Sequence, residues 1–285
     1  MRAALITGGT SGIGLAFARA LARGGVALVL VARDADRLGR VAEELTATHG
    51  VRVETLVADL AERSAQDAVA ARLASDERLD VLVNNAGFSL KTPLVGGDEA
   101  LLDRGYEVMG RALRVLGGAA GAAFTARGGG TIINVTSLSG MTRQDGYSAL
   151  KAYGTALTEV LANELTGTGV TVTAVLPGWV RTDFHAAGGV GKSSIPDVLW
   201  LDADRVAADA LADAARGKVL SVPAKRYRAL AFLLGALPPG GVRAVSRALS
   251  GHRRRGASPV PSAAPAPTPS AAPAASDHDP DRGEA

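Results

Sequence analysis

Short runs of β-branched or leucine-rich residues recur at 3–7, 27–32, 52–57, 81–84, 131–136, 171–176 and 219–222, and each predicts a strand. Between them lie longer stretches with apolar positions at helical spacing. In 34–48, Leu38, Val41, Ala42 and Leu45 fall on one helix face, with Asp34 placed to cap its start. Strands alternating with helices predict βαβ units. Right-handed crossovers then wind them into one doubly wound parallel β-sheet with helices on both faces, a three-layer α/β/α fold.

The helical stretch at 101–127 is unusual, because Gly110, Gly117, Gly118 and Gly121 each cost about 1 kcal/mol relative to alanine. Gly110, Gly117 and Gly121 share one face and would let another helix approach closely, with tight packing on the sheet or a subunit contact as the expected compensation. From 257 to 285 the chain is Pro/Ala/Ser-rich and lacks aromatics, which predicts a disordered tail.

Composition narrows the classes. With 285 residues, 47% of them hydrophobic, the chain supports one sizeable core. The absence of cysteine excludes disulfides and thiolate metal sites, and His49, His185, His252 and His278 are too scattered for a metal cluster. A formal net charge of +3, with a basic run at 252–256 beside the Pro/Ala tail, argues against a nucleic-acid-binding face. The N-terminus lacks the length and cleavage site of a signal peptide, and the apolar window 229–237 is about half the roughly 20 residues of a spanning helix. A soluble, cytoplasmic protein is expected.

The first strand runs into "TGGTSGIG" at 7–14 and then into a helical pattern. Glycines at 8, 12 and 14 let the backbone turn tightly and approach a pyrophosphate, whose charge suits the following helix N-terminus. Three more motifs follow in order: "NNAG" at 84–87 after the fourth strand, "YSALK" opening a helix at Tyr147, and "PGWVRT" at 177–182 after the sixth. Together these four resemble the short-chain dehydrogenase/reductase family, in its compact single-domain branch, over about residues 1–223. The resemblance implies a Rossmann-type fold, a nicotinamide cofactor and a carbonyl or alcohol substrate. It divides the chain into a dinucleotide-binding catalytic domain (1–223), a basic and apolar helical segment (224–256) and the tail (257–285).

Carried over position by position, the resemblance puts the cofactor's phosphates at Gly8, Ser11, Gly12, Ile13 and Gly14. It puts the adenine at Asp59 and Leu60, the adenine ribose at Asn84, Ala86 and Gly87, and the nicotinamide at Pro177, Gly178, Val180 and Thr182. Asn84 and Pro177 also make sense as strand terminators. At the end of the second strand an acidic residue would favour NAD(H), whereas Arg33 occupies the matching position with Arg37 one turn on; NADP(H) is favoured, with NAD(H) still allowed.

Tyr147 and Lys151 lie one helical turn apart on one face. A phenol has a pKa near 10, and a neighbouring ammonium with a cationic nicotinamide favours its phenolate. Tyr147 is then the general acid/base, Lys151 lowers its pKa and holds the ribose, and Ser137 at the end of the fifth strand orients the substrate oxygen. Two departures from the family stand out: the Ser137–Tyr147 connection is a few residues short, with Thr136 and Ser139 as other hydroxyls, and Met109 stands where relatives commonly carry a relay asparagine. A thioether donates nothing, so slower turnover is expected. The rival expectation is an NADP(H)-binding sensor or scaffold of the same fold with weak or no catalysis.

The segment after Thr182 suggests a wall for a lipophilic carbonyl or alcohol, with Phe184, Ile195, Val198, Leu199 and Trp200 around the glycines 188, 189 and 191, although these apolar residues could equally pack on the sheet. A homodimer or homotetramer is expected. The stretch 226–255 reads as an arm packed on its own domain or a partner, with peripheral contact to an anionic membrane as the alternative; the Pro-Gly break at 238–241 favours packing.

Overall fold

The computed structural model describes residues 2–90, 92–182 and 196–254. Strands β1 (Ala3–Thr7), β2 (Ala27–Ala32), β3 (Val53–Val57), β4 (Leu79–Asn84), β5 (Gly130–Val135), β6 (Val170–Val175) and β7 (Leu220–Ser221) form one sheet in the order β3-β2-β1-β4-β5-β6-β7. Every neighbouring pair is parallel. The helices are α1 (Gly12–Arg23), α2 (Ala35–His49), α3 (Arg63–Ser75), α4 (Glu99–Tyr106), α5 (Ala112–Ala126), α6 (Gly146–Glu164), α7 (Ala203–Ala215), α8 (Lys225–Ala236) and α9 (Pro239–Arg254).

Both faces of the sheet are covered, so its central strands are apolar at consecutive positions, and β1 is buried at all five. Successive side chains point to opposite layers. Ala4, Ile6, Leu28 and Leu30 pack with Phe17 of α1, Leu38 of α2 and Val206 of α7. Ala3, Leu5, Val29 and Val31 pack with Val69 of α3, Phe124 of α5 and Leu161 of α6. The strand order reverses beside β1, which lies between β2 and β4. The loops leaving the carboxyl ends of β1 and β4 therefore diverge and leave a crevice there.

Local chemistry sets the boundaries. The Asp34 carboxylate accepts the Arg37 N–H at 2.9 Å and caps α2. The stretch read as one helix at 101–127 is interrupted: α4 passes through a π-helical turn (Glu107–Arg111) before α5 begins. Its glycines offset their cost by letting another helix approach closely. A Cβ on Gly117 would lie 2.9 Å from Leu161, and one on Gly121 3.2 Å from Leu165, so the glycine face receives α6 and its C-terminal residue rather than the sheet.

In the C-terminal arm, Tyr227 and Leu234 of α8 and Val242 and Ser246 of α9 are buried, and the Arg143 N–H donates to Ser246 Oγ at 2.9 Å. Among the described residues no helix is long and apolar enough to cross a membrane. Phe184, His185, Ile195, the glycines at 188, 189 and 191, and the 257–285 tail lie outside the described residues.

Candidate active site

The turn after β1 is built by steric need. Gly8 (φ 64°) and Gly12 (φ 52°) adopt left-handed backbone, and a Cβ on Gly14 would lie 2.2 Å from the Gly8 carbonyl oxygen. The turn is then tied to the end of β4. The Asn85 amide donates to the carbonyls of Thr7 and Gly8 at 3.0 and 3.1 Å, and the N–H groups of Asn85 and Ala86 donate to Thr7 Oγ1 at 2.9 and 3.0 Å. Thr182 closes the other side, since a Cβ on Gly12 would lie 3.0 Å from its methyl. Ser11 is the N-cap of α1 but makes no side-chain capping bond, and the first turn of α1 carries no acidic residue. Ile13 packs against the core. An uncapped helix N-terminus behind a glycine turn fits a phosphate group.

Asn84, expected to line the adenine ribose, is buried and donates its amide to Asn134 at 3.0 Å; Asn134 in turn donates to Thr158 at 3.0 Å. The residue that reaches the glycine turn is its neighbour Asn85, because successive residues of an extended chain face opposite ways. Asp59 accepts the Ala61 N–H at 3.0 Å and Arg104 at 2.7 Å. Burial alone would raise its pKa, but these bonds and the charges of Arg104 and Arg33 outweigh it and hold the carboxyl below its usual range. Arg33 is exposed, and Leu60 is buried beside Asp59 with its carbonyl accepting the Gln66 amide at 2.8 Å.

At the end of β5 the hydroxyls sort themselves. Thr136 donates to the Val175 carbonyl at 2.9 Å and is buried there. Ser137 accepts the Ser139 N–H at 3.1 Å and hydrogen-bonds the Tyr147 hydroxyl. The short connection is accommodated by a 3-10 turn (Leu138–Met141) laid flat on α6, where a Cβ on Gly140 would lie 2.8 Å from the Lys151 and Ala152 backbone. A capping box between Asp145 and Ser148 starts α6 and places Tyr147 in its first turn.

Lys151 is 8% exposed; its ammonium donates to the Val135 carbonyl at 2.9 Å and sits 5.5 Å from the Tyr147 ring centroid. Burial lowers its pKa from 10.5 to about 8. Without a nicotinamide the Tyr147 phenol lies above its ordinary value. Burial pushes the phenol upward, the Ser137 hydrogen bond opposes this, and Asp145 adds to the rise. Met109 occupies the π turn, buried, against Gly87: a Cβ on that glycine would lie 3.2 Å from the Met109 sulfur and 3.7 Å from Lys151 Nζ. A π turn inside an α-helix often marks a functional site.

After β6, the Pro177 carbonyl accepts the Leu138 N–H at 3.1 Å, and Val180 is buried in a bridge to Leu201. Gly178 packs on Tyr227, whose hydroxyl donates to the Leu199 carbonyl at 2.6 Å. Trp200 packs edge-on against Trp179 at 6.0 Å, while Val198 is exposed. A cavity of about 510 Å³, bounded by Met141, Arg143, Leu234 and Val242 among others, lies beside the Ser137–Tyr147 connection. Asn85, Arg104 and Tyr227 are the members of this arrangement that the sequence reading passed over.

The short chain dehydrogenase family model matches residues 2–189. Galactitol 2-dehydrogenase (L-tagatose-forming) of Cereibacter sphaeroides is 36% identical over 63% of this chain and 72% of its own length. Sulfoacetaldehyde reductase 2 of Chromohalobacter salexigens is 35% identical over 73% of this chain and 84% of its own. Among solved structures, a short-chain dehydrogenase from Sphingobium yanoikuyae in complex with NADPH is similar with a TM-score of 0.75 at 33% identity, covering 84% of this chain and 97% of that one.

Proposed function

The chain belongs to the short-chain dehydrogenase/reductase family of oxidoreductases, and from that premise we propose that it transfers hydride between NADP(H) and a carbonyl or secondary alcohol. One observation carries the reading: Ser137, Tyr147 and Lys151 meet at the carboxyl end of β5, with Lys151 also beside Gly87 at the end of β4. The nicotinamide, when bound, supplies or accepts the hydride, and its oxidised form adds positive charge that favours the phenolate. In reduction Tyr147 gives its proton to the substrate oxygen, and in oxidation it takes that proton back. Ser137 donates a hydrogen bond to the same oxygen. Lys151 returns a proton to Tyr147 and holds the ribose hydroxyls. The glycine turn and α1 would hold the pyrophosphate, and the loop from Pro177 to Thr182 the nicotinamide.

NADP(H) is preferred over NAD(H) on charge. Arg33 is exposed at the end of β2, and Asp59 beside it is matched by Arg104. The NADPH-bound Sphingobium relative supports the same preference. The tryptophan pair suits a lipophilic substrate. This reading makes 1–223 the catalytic domain of a cytoplasmic homodimer or homotetramer, with 224–256 an accessory arm and 257–285 a disordered tail.

A screen of NADPH oxidation against varied ketones and aldehydes, run on wild type and Tyr147→Phe, tests the proposal; tyrosine-dependent turnover on some member is expected. A second reading, an NADP(H)-binding sensor or scaffold, draws on Met109 and on the raised Tyr147 pKa. Tight NADPH binding with no tyrosine-dependent turnover on any substrate would favour it.

A further inference from the structure

Helix α8 begins with exposed cations and is apolar from Ala229 onward, on its exposed surface as well as its buried one. The stretch 229–242, "ALAFLLGALPPGGV", contains no polar side chain. Tyr227 and Leu234 cover the inward side of α8. Leu230 beside that side is 42% exposed, Phe232 on the outer side is 77% and Leu233 61% exposed, with Lys225 and Arg228 in the first turn also exposed, as is Leu237 just beyond the helix. Beyond Arg228 the helix carries no polar side chain on its exposed surface, and an exposed apolar patch of this kind marks contact with something nonpolar.

Charge identifies the cover. From 214 to 276 the sequence holds no aspartate or glutamate, yet it carries Arg216, Lys218, Lys225, Arg226, Arg228, Arg243, Arg247, Arg253, Arg254 and Arg255, in a chain whose net charge is only +3. Arg216 and Lys218 share the single carboxylate of Asp213, which offsets one of their two charges. Among the described residues, Lys225, Arg228, Arg243 and Arg247 have no carboxylate partner. A second copy of the chain applied to this face would bring one acid-free cationic segment against another. An anionic bilayer supplies both the opposite charge and the apolar depth. The 12-residue α8 is about 18 Å long, too short to span a membrane and suited to lying in its surface.

We propose that α8 and the start of α9 dock on an anionic lipid surface, with Leu230, Phe232, Leu233 and Leu237 entering the acyl boundary and Lys225, Arg228, Arg243 and Arg247 on the headgroups. The Pro-Gly break at 238–241 does not oppose this, since α9 restarts at Pro239 and buries Val242 and Ser246 on the body, leaving α8 to face outward. Packing and lipid contact thus use different sides of one arm.

The experiment is co-sedimentation of the full chain with vesicles of phosphatidylcholine alone and of equal parts phosphatidylcholine and phosphatidylglycerol, at low and raised salt. Binding to the anionic vesicles only, weakening as salt rises, is expected. The pairs Phe232→Ser with Leu233→Ser, and Arg228→Glu with Arg247→Glu, each lower that binding by about ten-fold or more, with unchanged melting temperature. No binding to either vesicle, equal binding to both, or full binding by the Phe232/Leu233 variant overturns the proposal. It is also overturned if only a chain ending at Gly256 binds, which makes the C-terminal segment the occupant. A dimer that Phe232→Ser splits, without lipid binding, assigns the face to a second copy.

Discussion

Gly178 and Tyr227 interlock: a Cβ on the glycine would lie 2.1 Å from the tyrosine ring, whose hydroxyl accepts the Trp179 N–H at 3.2 Å and donates to Leu199. One side chain from α8 therefore fixes both the loop after β6 and the segment carrying Trp200. Gly178→Ala should displace the ring and destabilise the protein by about 1–3 kcal/mol, as overpacking does. Gly118→Ala is the opposite case, since nothing lies within 4 Å of that position in α5, and a gain of about 0.5–1 kcal/mol is expected. Urea midpoints of the two variants measure both.

Burial of Lys151 predicts a stability slope at alkaline pH. Its folded pKa of about 8 lies below the ordinary 10.5, so between these values the unfolded chain binds the proton that the folded chain has released. Stability should therefore rise as pH increases from about 8 toward 10. Above 10 the raised pKa of Tyr147 acts with the opposite sign, because the unfolded phenol ionises first. Thermal melts of the cofactor-free protein across this window should show the rise, and Lys151→Met should abolish it.

Two substitutions around the cofactor crevice should separate charge recognition from loop positioning. Arg33→Asp is expected to weaken NADPH far more than NADH, reversing the preference. Asn85→Ala strips the donors from the Thr7 and Gly8 carbonyls and should weaken both nucleotides alike, by about 1–3 kcal/mol. Titrations of each variant with both nucleotides give the comparison; an unchanged preference in Arg33→Asp would sink the charge argument.

Met109→Asn places a carboxamide beside Gly87 and Lys151, where the thioether offers no donor. If proton return through Lys151 limits turnover, kcat should rise several-fold with KM little changed, at some cost in stability for burying the amide. Steady-state kinetics over a pH series reads the effect. Equal kcat in both proteins at every pH would show that this position does not limit the rate.

Much of this architecture was legible because its strands are short apolar runs bounded by glycines and polar turns. The expected spans of β1 and β2 coincide with those observed, and the other strands differ by one or two residues at their ends. What spacing could not show was the identity of a neighbour. Gly117 and Gly121 were placed on one face, but that α6 fills it depends on Leu161 and Leu165, which are distant in sequence. Arg104 and Tyr227 escaped notice for the same reason, since each meets its partner across a long stretch of chain. The motif "NNAG" names two asparagines without saying which faces the turn. The upward push on the phenol could not be read because it comes from burial, which a sequence does not display.

The π turn at Glu107–Arg111 amounts to one residue inserted into an otherwise α-helical stretch. Deleting a single residue there would restore regular winding and leave everything downstream in nearly the same phase relative to α4, because the wider turn already takes up the extra residue. Gly117 and Gly121 would still meet Leu161 and Leu165. The chain thus tolerates a change of length at this point: a one-residue deletion within the turn would spare the packing of α5 on α6 and cost the bulge that holds Met109 against Gly87.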